Sequence, residues 1–114
     1  MLGDYETALK SYNSWLKLEP DNYVAHTCVG MCYQKLEKYA EALKSYDKAL
    51  ELKPDFVDAL NNKGYCYEDL AIKQQNKKIY KDAIKLYDEV LKIDPNNKEA
   101  EYRKKEIARN IGYL

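Results

Sequence analysis

His26, Cys28 and Cys32 are the side chains of this chain whose types and spacing come nearest to a chemical site. Together they offer an imidazole and, one helical turn apart, two thiols, the donors that zinc takes. A closed zinc site needs four ligands, and a fourth would have to come from elsewhere in the chain. Cys32 also has a counterpart, Cys66, in an otherwise matching stretch, which suits a small packing residue better than a ligand. Cys28 lies one step off that stripe, on a face free to meet a partner. His26 is the only histidine, and no serine or cysteine is spaced around it as a nucleophile. The carboxylates are scattered among lysines, as in Glu41 with Lys44 and Lys48, the pattern of solvated helix faces. General acid–base work needs a cleft that perturbs a pKa, and no residue pattern locates one. The expectation is a non-enzyme without catalytic, cofactor or metal residues.

The elements that carry these residues are helices. Apolar side chains recur at intervals of three and four, the α-helical period. Between Tyr39 and Leu52 the stripe runs Tyr39, Ala42, Leu43, Tyr46, Ala49 and Leu50. Each of the three prolines ends an element, because the residue before it (Glu19, Lys53, Asp94) is pushed out of helical geometry. Asp21, Asp55 and Asn96 follow at once and are the expected caps of the next helices. The pattern predicts six helices, near 3–18, 22–36, 39–52, 56–75, 77–93 and 97–111. Their short connections force neighbours to be antiparallel.

The chain also repeats itself. Tyr5, Ala8, Leu9, Lys10, Tyr12, Leu16, Leu18 and Pro20 return 34 residues later as Tyr39, Ala42, Leu43, Lys44, Tyr46, Leu50, Leu52 and Pro54. They return again after 41 more as Tyr80, Ala83, Ile84, Lys85, Tyr87, Leu91, Ile93 and Pro95. Between the prolines, Ala25, Gly30, Cys32 and Tyr33 recur as Ala59, Gly64, Cys66 and Tyr67. Gly30 and Gly64 fall inside helices, where glycine costs about 1 kcal/mol relative to alanine. Close approach of a following helix, through Ala42, Ala49 or Ala83, is the expected compensation. Self-similarity at this period means a stacked repeat array rather than one enclosed core.

The period, the Gly–x–Cys–Tyr stretch, the Tyr–x–x–Ala–Leu–x–x–Tyr stretch and the closing Leu–x–Pro resemble the tetratricopeptide repeat, over about residues 1–97. The resemblance implies an all-α fold of stacked antiparallel helix pairs forming a right-handed α-solenoid. Residues 1–22 would be the second helix of a first repeat, 23–56 a second repeat, 57–97 a third, and 98–114 a capping helix. Trp15 departs from the pattern, standing where Ala49 and Val90 stand later. The third repeat carries seven extra residues, 41 against 34, between Leu70 and Tyr80. That segment lacks glycine and proline, so it is expected to extend the helical hairpin by about one turn on each side, with Ala71, Ile72 and Ile79 sealing the tip. The lysines around the hairpin tip, Lys73, Lys77, Lys78, Lys81 and Lys85, could meet an acidic partner but read rather as a soluble surface.

The same resemblance implies a concave groove lined by the first helix of each pair and by the cap. Its candidate residues are Val24, Thr27, Cys28, Met31, Lys35, Asp58, Asn61, Asn62, Tyr65, Asp69, Glu99, Tyr102, Arg103 and Glu106. Mixed charge, amides and tyrosines suit capture of a peptide or a partner protein segment. Some members of the family bind the acidic C-terminal tails of heat-shock chaperones through a clamp of lysines, asparagines and an arginine. Asn62 and Arg103 match two clamp positions, but Thr27, Met31 and Glu99 stand where the lysines and the other asparagine belong. Chaperone-tail binding is therefore not expected.

Composition narrows the partners further. Nineteen basic against nineteen acidic side chains leave zero formal charge, so no basic excess exists for nucleic acid. No apolar run reaches the roughly 20 residues that cross a bilayer, and Met1–Tyr12 lacks the pattern of a secretory signal. Three cysteines without CxxC spacing fit free thiols, and the chain reads as soluble and cytoplasmic. Twelve tyrosines against one phenylalanine are read as packing residues whose hydroxyls reach the surface. The alternative to peptide capture is an assembly element, a fragment of a longer array or a homo-oligomer. It would associate through an uncovered edge of the first helix: Leu9, Tyr12, Trp15 and Leu16.

Overall fold

A computed structural model describes residues 2–111; Met1 and residues 112–114, which the sequence reading assigns to the end segments, lie outside the described residues. Six helices follow one another: α1 (Leu2–Leu18), α2 (Tyr23–Lys35), α3 (Tyr39–Leu52), α4 (Val57–Lys73), α5 (Ile79–Ile93) and α6 (Lys98–Asn110). There is no strand among the described residues. The chain divides into two compact units, Met1–Ala59 with α1 to α3 and Leu60–Leu114 with most of α4, then α5 and α6.

The three prolines act alike. Each occupies the second position of a tight turn closed by a backbone bond, from Asn22 to Glu19, from Phe56 to Lys53 and from Asn97 to Asp94. The turn consumes one more residue than the sequence reading allowed, so the caps are Asn22 and Asn97 rather than Asp21 and Asn96. Their side chains accept from the backbone N–H of Ala25 and Ala100, at 3.0 and 2.9 Å. In the middle turn the equivalent residue is Phe56, which has no acceptor. Its ring instead meets Tyr23 edge-on, with centroids 4.8 Å apart.

The other ends of α2 and α4 also match. Glu37 and Gln75 adopt left-handed backbone, with φ of 60° and 49°. Around them, Lys38 N–H bonds Tyr33 O and Glu37 N–H bonds Gln34 O; Asn76 N–H bonds Ala71 O and Gln75 N–H bonds Ile72 O. Both are Schellman closures made without glycine. This fixes where the seven extra residues go. Helix α4 has 17 residues against 13 in α2, while α5 has 15 against 14 in α3. The remaining two enter the connection, where Asn76 accepts from Lys78 N–H. The added length is thus a full turn on α4 and one residue on α5, not a turn on each. Ala71 is buried and Ile79 half-buried, but Ile72 is 64% exposed and seals nothing.

The atoms nearest to Gly30 and Gly64 belong to a tyrosine of the following helix. A Cβ placed on Gly30 would lie 2.5 Å from Tyr46 Cε1, and one on Gly64 would lie 2.8 Å from Tyr87 Cε1 and Cζ. Tyr46 and Tyr87 are the largest fully buried side chains of the chain's described part. Burying a whole aromatic ring outweighs the helix cost of one glycine, since each such ring removes roughly 150–250 Å² from water. Their hydroxyls are internal too, contrary to the expectation that tyrosine hydroxyls reach the surface.

Candidate functional site

In the first unit, α1 and α2 enclose an open cavity of about 280 Å³ lined by Tyr5, Ala8, Tyr12, Cys28, Met31, Cys32 and Lys35. It joins two sets of residues that the sequence reading kept apart. Cys28, Met31 and Lys35 come from the groove candidates, and Tyr12 comes from the α1 edge. Met31 is 44% exposed, and Val24 on the same helix is 40% exposed. Among the described residues that line it, Lys35 is the charged one. Thr27 behaves differently: it is buried, and its hydroxyl donates to Tyr23 O at 2.9 Å, so it offers nothing to a partner.

Cys28 is half-buried and pairs with the Tyr12 hydroxyl; burial pushes its thiol up, and that contact partly offsets the rise. Cys32 and Cys66 are buried. Burial, with the charge of Asp69 adding to it, pushes Cys66 up to about 12, so it stays a neutral thiol at physiological pH. His26 Nε2 lies 2.8 Å from Pro20 O, tied to the preceding turn. Among the described residues no three His, Cys, Asp or Glu side chains are grouped to hold a metal ion.

Of the edge residues, Leu9, Tyr12, Trp15 and Leu16 are each half-buried. Trp15 Nε1 donates to Glu19 Oε2 at 2.7 Å, and its ring centroid lies 6.5 Å from that of Tyr12.

In the second unit the decisive residue is one that sequence reasoning missed. Glu68, on α4, is 3% exposed and accepts three hydrogen bonds from two residues. Tyr87 donates its hydroxyl to Oε2. Arg103 from α6 grips both oxygens, Nε to Oε2 at 3.0 Å and Nη2 to Oε1 at 2.6 Å. The guanidinium also covers the Tyr65 ring, 4.6 Å from its centroid. A buried carboxylate is tolerated only when paired and bonded, and here both oxygens are. The Glu68 hydrogen bonds hold Arg103 above its usual value, whereas burial and then the Glu68 bond hold the Tyr87 phenol up. Arg103, named as a groove residue, is therefore committed inward. The signal was in the repeat: Glu68 stands 34 residues after Gln34, and both follow a mid-helix glycine by four. Gln34 Oε1 accepts the Tyr46 hydroxyl at 2.7 Å in the same way.

The remaining candidates spread along exposed faces. Asp58 and Glu99 are exposed, and Asn62, Asp69 and Glu106 are half-buried. Glu106 pairs with Arg109 at 3.0 Å. Tyr65 and Tyr102 are exposed by 38% and 58%. Asn61 is buried, and its Oδ1 has no hydrogen-bond partner among the described residues.

Two tetratricopeptide repeat profiles match the chain, one over residues 23–56 and one over residues 45–85. Together they span the first glycine–tyrosine joint and the glycine of the second. The chain belongs to the tetratricopeptide repeat family. No curated protein sequence matches it. Among solved tetratricopeptide structures it is similar to the first such domain of Spaghetti (RPAP3) bound to the HSP90 peptide SRMEEVD. That match has 26% identity and a TM-score of 0.78, covering 96% of this chain and 82% of the other. It is similar at 26% identity to the second such domain of human RPAP3 in complex with the HSP70 peptide SGPTIEEVD, with a TM-score of 0.75 over 92% and 82% of the two chains. The Arabidopsis OM64 tetratricopeptide domain shares the fold, at 20% identity and a TM-score of 0.81 over 95% and 84%. No described helix is long and apolar enough to cross a membrane.

Proposed function

We propose that this chain is a non-catalytic interaction module that binds a segment of another protein through exposed side chains of its helices. The observation that carries the reading is a set of large apolar side chains left exposed at candidate positions: Val24, Met31, Tyr65 and Tyr102. Exposed aromatic and methionine side chains are what binding surfaces favour. The relatives of known structure with bound peptides support it. Within the fourteen candidates, the burial of Thr27 and Asn61 and the commitment of Arg103 to Glu68 shift the weight onto Val24, Met31, Lys35, Tyr65 and Tyr102.

The specificity differs from that of those relatives. Met31 and Glu99 bring no positive charge, and Thr27 is closed off, so the acidic peptide SRMEEVD is expected to show no saturable binding. The test is selection of binders from a random peptide library, followed by titration against variants. Met31→Glu and Tyr102→Ala are expected to weaken the selected peptides at least tenfold with unchanged melting temperature. Lys105→Ala, on an exposed pair, serves as the control. Selected peptides that bind both variants like wild type would refute the reading.

The second reading is assembly through α1, favoured by the half-buried row Leu9, Tyr12, Trp15 and Leu16. Light scattering separates the two. A mass that doubles with concentration and reverts with Trp15→Ser supports assembly, and a constant monomer mass rules it out.

A further inference from the structure

Three sulfur-bearing side chains of the first unit line one cavity. Cys28, Met31 and Cys32 all border the space of about 280 Å³ between α1 and α2. Cys28 and Cys32 stand four residues apart, so both thiols leave α2 on one face, and Met31 falls beside them. Packing accounts for only one of the three. Cys32 recurs as Cys66 in the second unit, and both are buried. Cys28 and Met31 are replaced there, 34 residues on, by Asn62 and Tyr65. The repeat calls for neither a second thiol nor a thioether at this place, yet the first unit supplies both.

The spacing of the two thiols suits an atom held between them rather than a bond. Side chains at i and i+4 of a helix have Cβ atoms about 5–6 Å apart, whereas a disulfide needs about 3.5–4.5 Å. Zinc asks for four ligands, and no third His, Cys, Asp or Glu is grouped with this pair among the described residues. Copper(I) is the ion that prefers thiolate and thioether donors, and it is content with two or three of them.

We infer that Cys28 and Cys32 form a copper(I) site, with the Met31 thioether as a third donor. Each thiol gives its proton to solvent as its sulfur binds, and the metal keeps its oxidation state. Two thiolates around one monovalent cation leave a single negative charge. Lys35 lines the same cavity and offsets it. Burial holds both thiols up, Cys32 further through the charge of Cys28, so the metal-free pair is neutral. The Tyr12 hydroxyl, already paired with Cys28, favours its thiolate and orients the sulfur from behind. The inference does not rest on peptide capture, since Tyr65 and Tyr102 take no part in it.

The test titrates the intact, reduced chain without oxygen against copper(I) held by a coloured chelator. The wild-type chain is expected to withdraw one ion per chain. Cys28→Ala and Cys32→Ala should each weaken retention by more than about a hundredfold, beyond the effect of losing an outer partner. Tyr12→Phe, which removes only such a partner, should weaken it about tenfold. Cys66→Ala, which deletes the buried thiol of the second unit, should change nothing. A measurement on the unmutated chain covers the case of a variant that does not fold. There the Met31 methyl resonance should shift and saturate at one equivalent of copper(I). Failure to withdraw the ion, equal loss with Cys66→Ala, or a Met31 methyl unmoved at saturation would each overturn the inference.

Discussion

The two joints have the same geometry and opposite electrostatics. In the first unit a tyrosine covers Gly30 and donates to Gln34, a neutral amide that needs no counter-charge. In the second unit the matching tyrosine covers Gly64 and donates to Glu68, a buried carboxylate that cannot stand alone. Arg103 is the answer to that carboxylate, so the second joint depends on α6 while the first is complete with α2 and α3. One repeat position can thus hold an amide or an acid, but the acid recruits a further helix into the structure. The arginine so recruited spends its guanidinium on Glu68, holding both carboxylate oxygens.

The comparison breaks most visibly at Arg103. Replacing it with methionine strands the Glu68 charge, and stability is expected to fall by roughly 3 kcal/mol, at the lower end for a broken buried pair because Arg103 keeps some exposure. Adding Glu68→Gln, which copies the first joint, should recover most of the loss in urea denaturation. Failure of that rescue would mean the carboxylate matters for another reason.

Gly30→Ala and Gly64→Ala test the feature that the joints share. Each forces a methyl into a buried ring, at a cost of about 2 kcal/mol after the better helix propensity of alanine is credited. Gly30 should suffer more, since its would-be Cβ lies closer to the ring. Thermal melts of the two variants, beside Gly3→Ala where nothing lies within 4 Å, give the ranking.

Removing the hydroxyls sharpens the contrast. Tyr87→Phe loses a bond to a charged acceptor and should cost about 2 kcal/mol, against about 1 kcal/mol for Tyr46→Phe. Equal costs would show that charge is irrelevant at this position.

The pH dependence is gentler. Cys66 ionises near its usual value of 9 in the unfolded chain but only at about 12 in the folded one. Its contribution is therefore complete below pH 9 and declines as pH rises toward 12, by up to about 1.4 kcal/mol per pH unit. Cys66→Ala should flatten that part of the curve. The Tyr87 phenol, also held up by burial and Glu68, leaves a residual slope at the alkaline end.

Much of this architecture was legible in the residues, for reasons that can be named. Proline forbids helix before it, so Glu19, Lys53 and Asp94 marked three boundaries. The caps were misread by one residue because the proline turn spans four positions and the cap is its last. Division of the seven-residue insertion was hidden because Gln75, a residue with no special claim to left-handed backbone, ends α4. Asparagine and threonine at positions 61 and 27 entered the groove candidates through the family resemblance, which gives a helix face but not how deeply each side chain is buried. Glu68 was passed over because a lone glutamate on a charged helix reads as solvated. Only its alignment with Gln34, four residues past a glycine, distinguishes it. Tyr12 was read with Leu9, Trp15 and Leu16 as an edge, and the cavity it lines with Tyr5, Ala8, Cys28 and Met31 depends on how two helices meet.

Met31 offers the most direct test of where recognition happens, since it is one of only two methionines in the chain. With methyl-labelled methionine, a selected partner peptide should shift the Met31 methyl resonance progressively. The shift should saturate at the same dissociation constant as binding measured in bulk, while the Arg103 Nε–H signal stays in place. Binding that leaves the Met31 methyl unmoved and displaces the Arg103 signal would contradict the account.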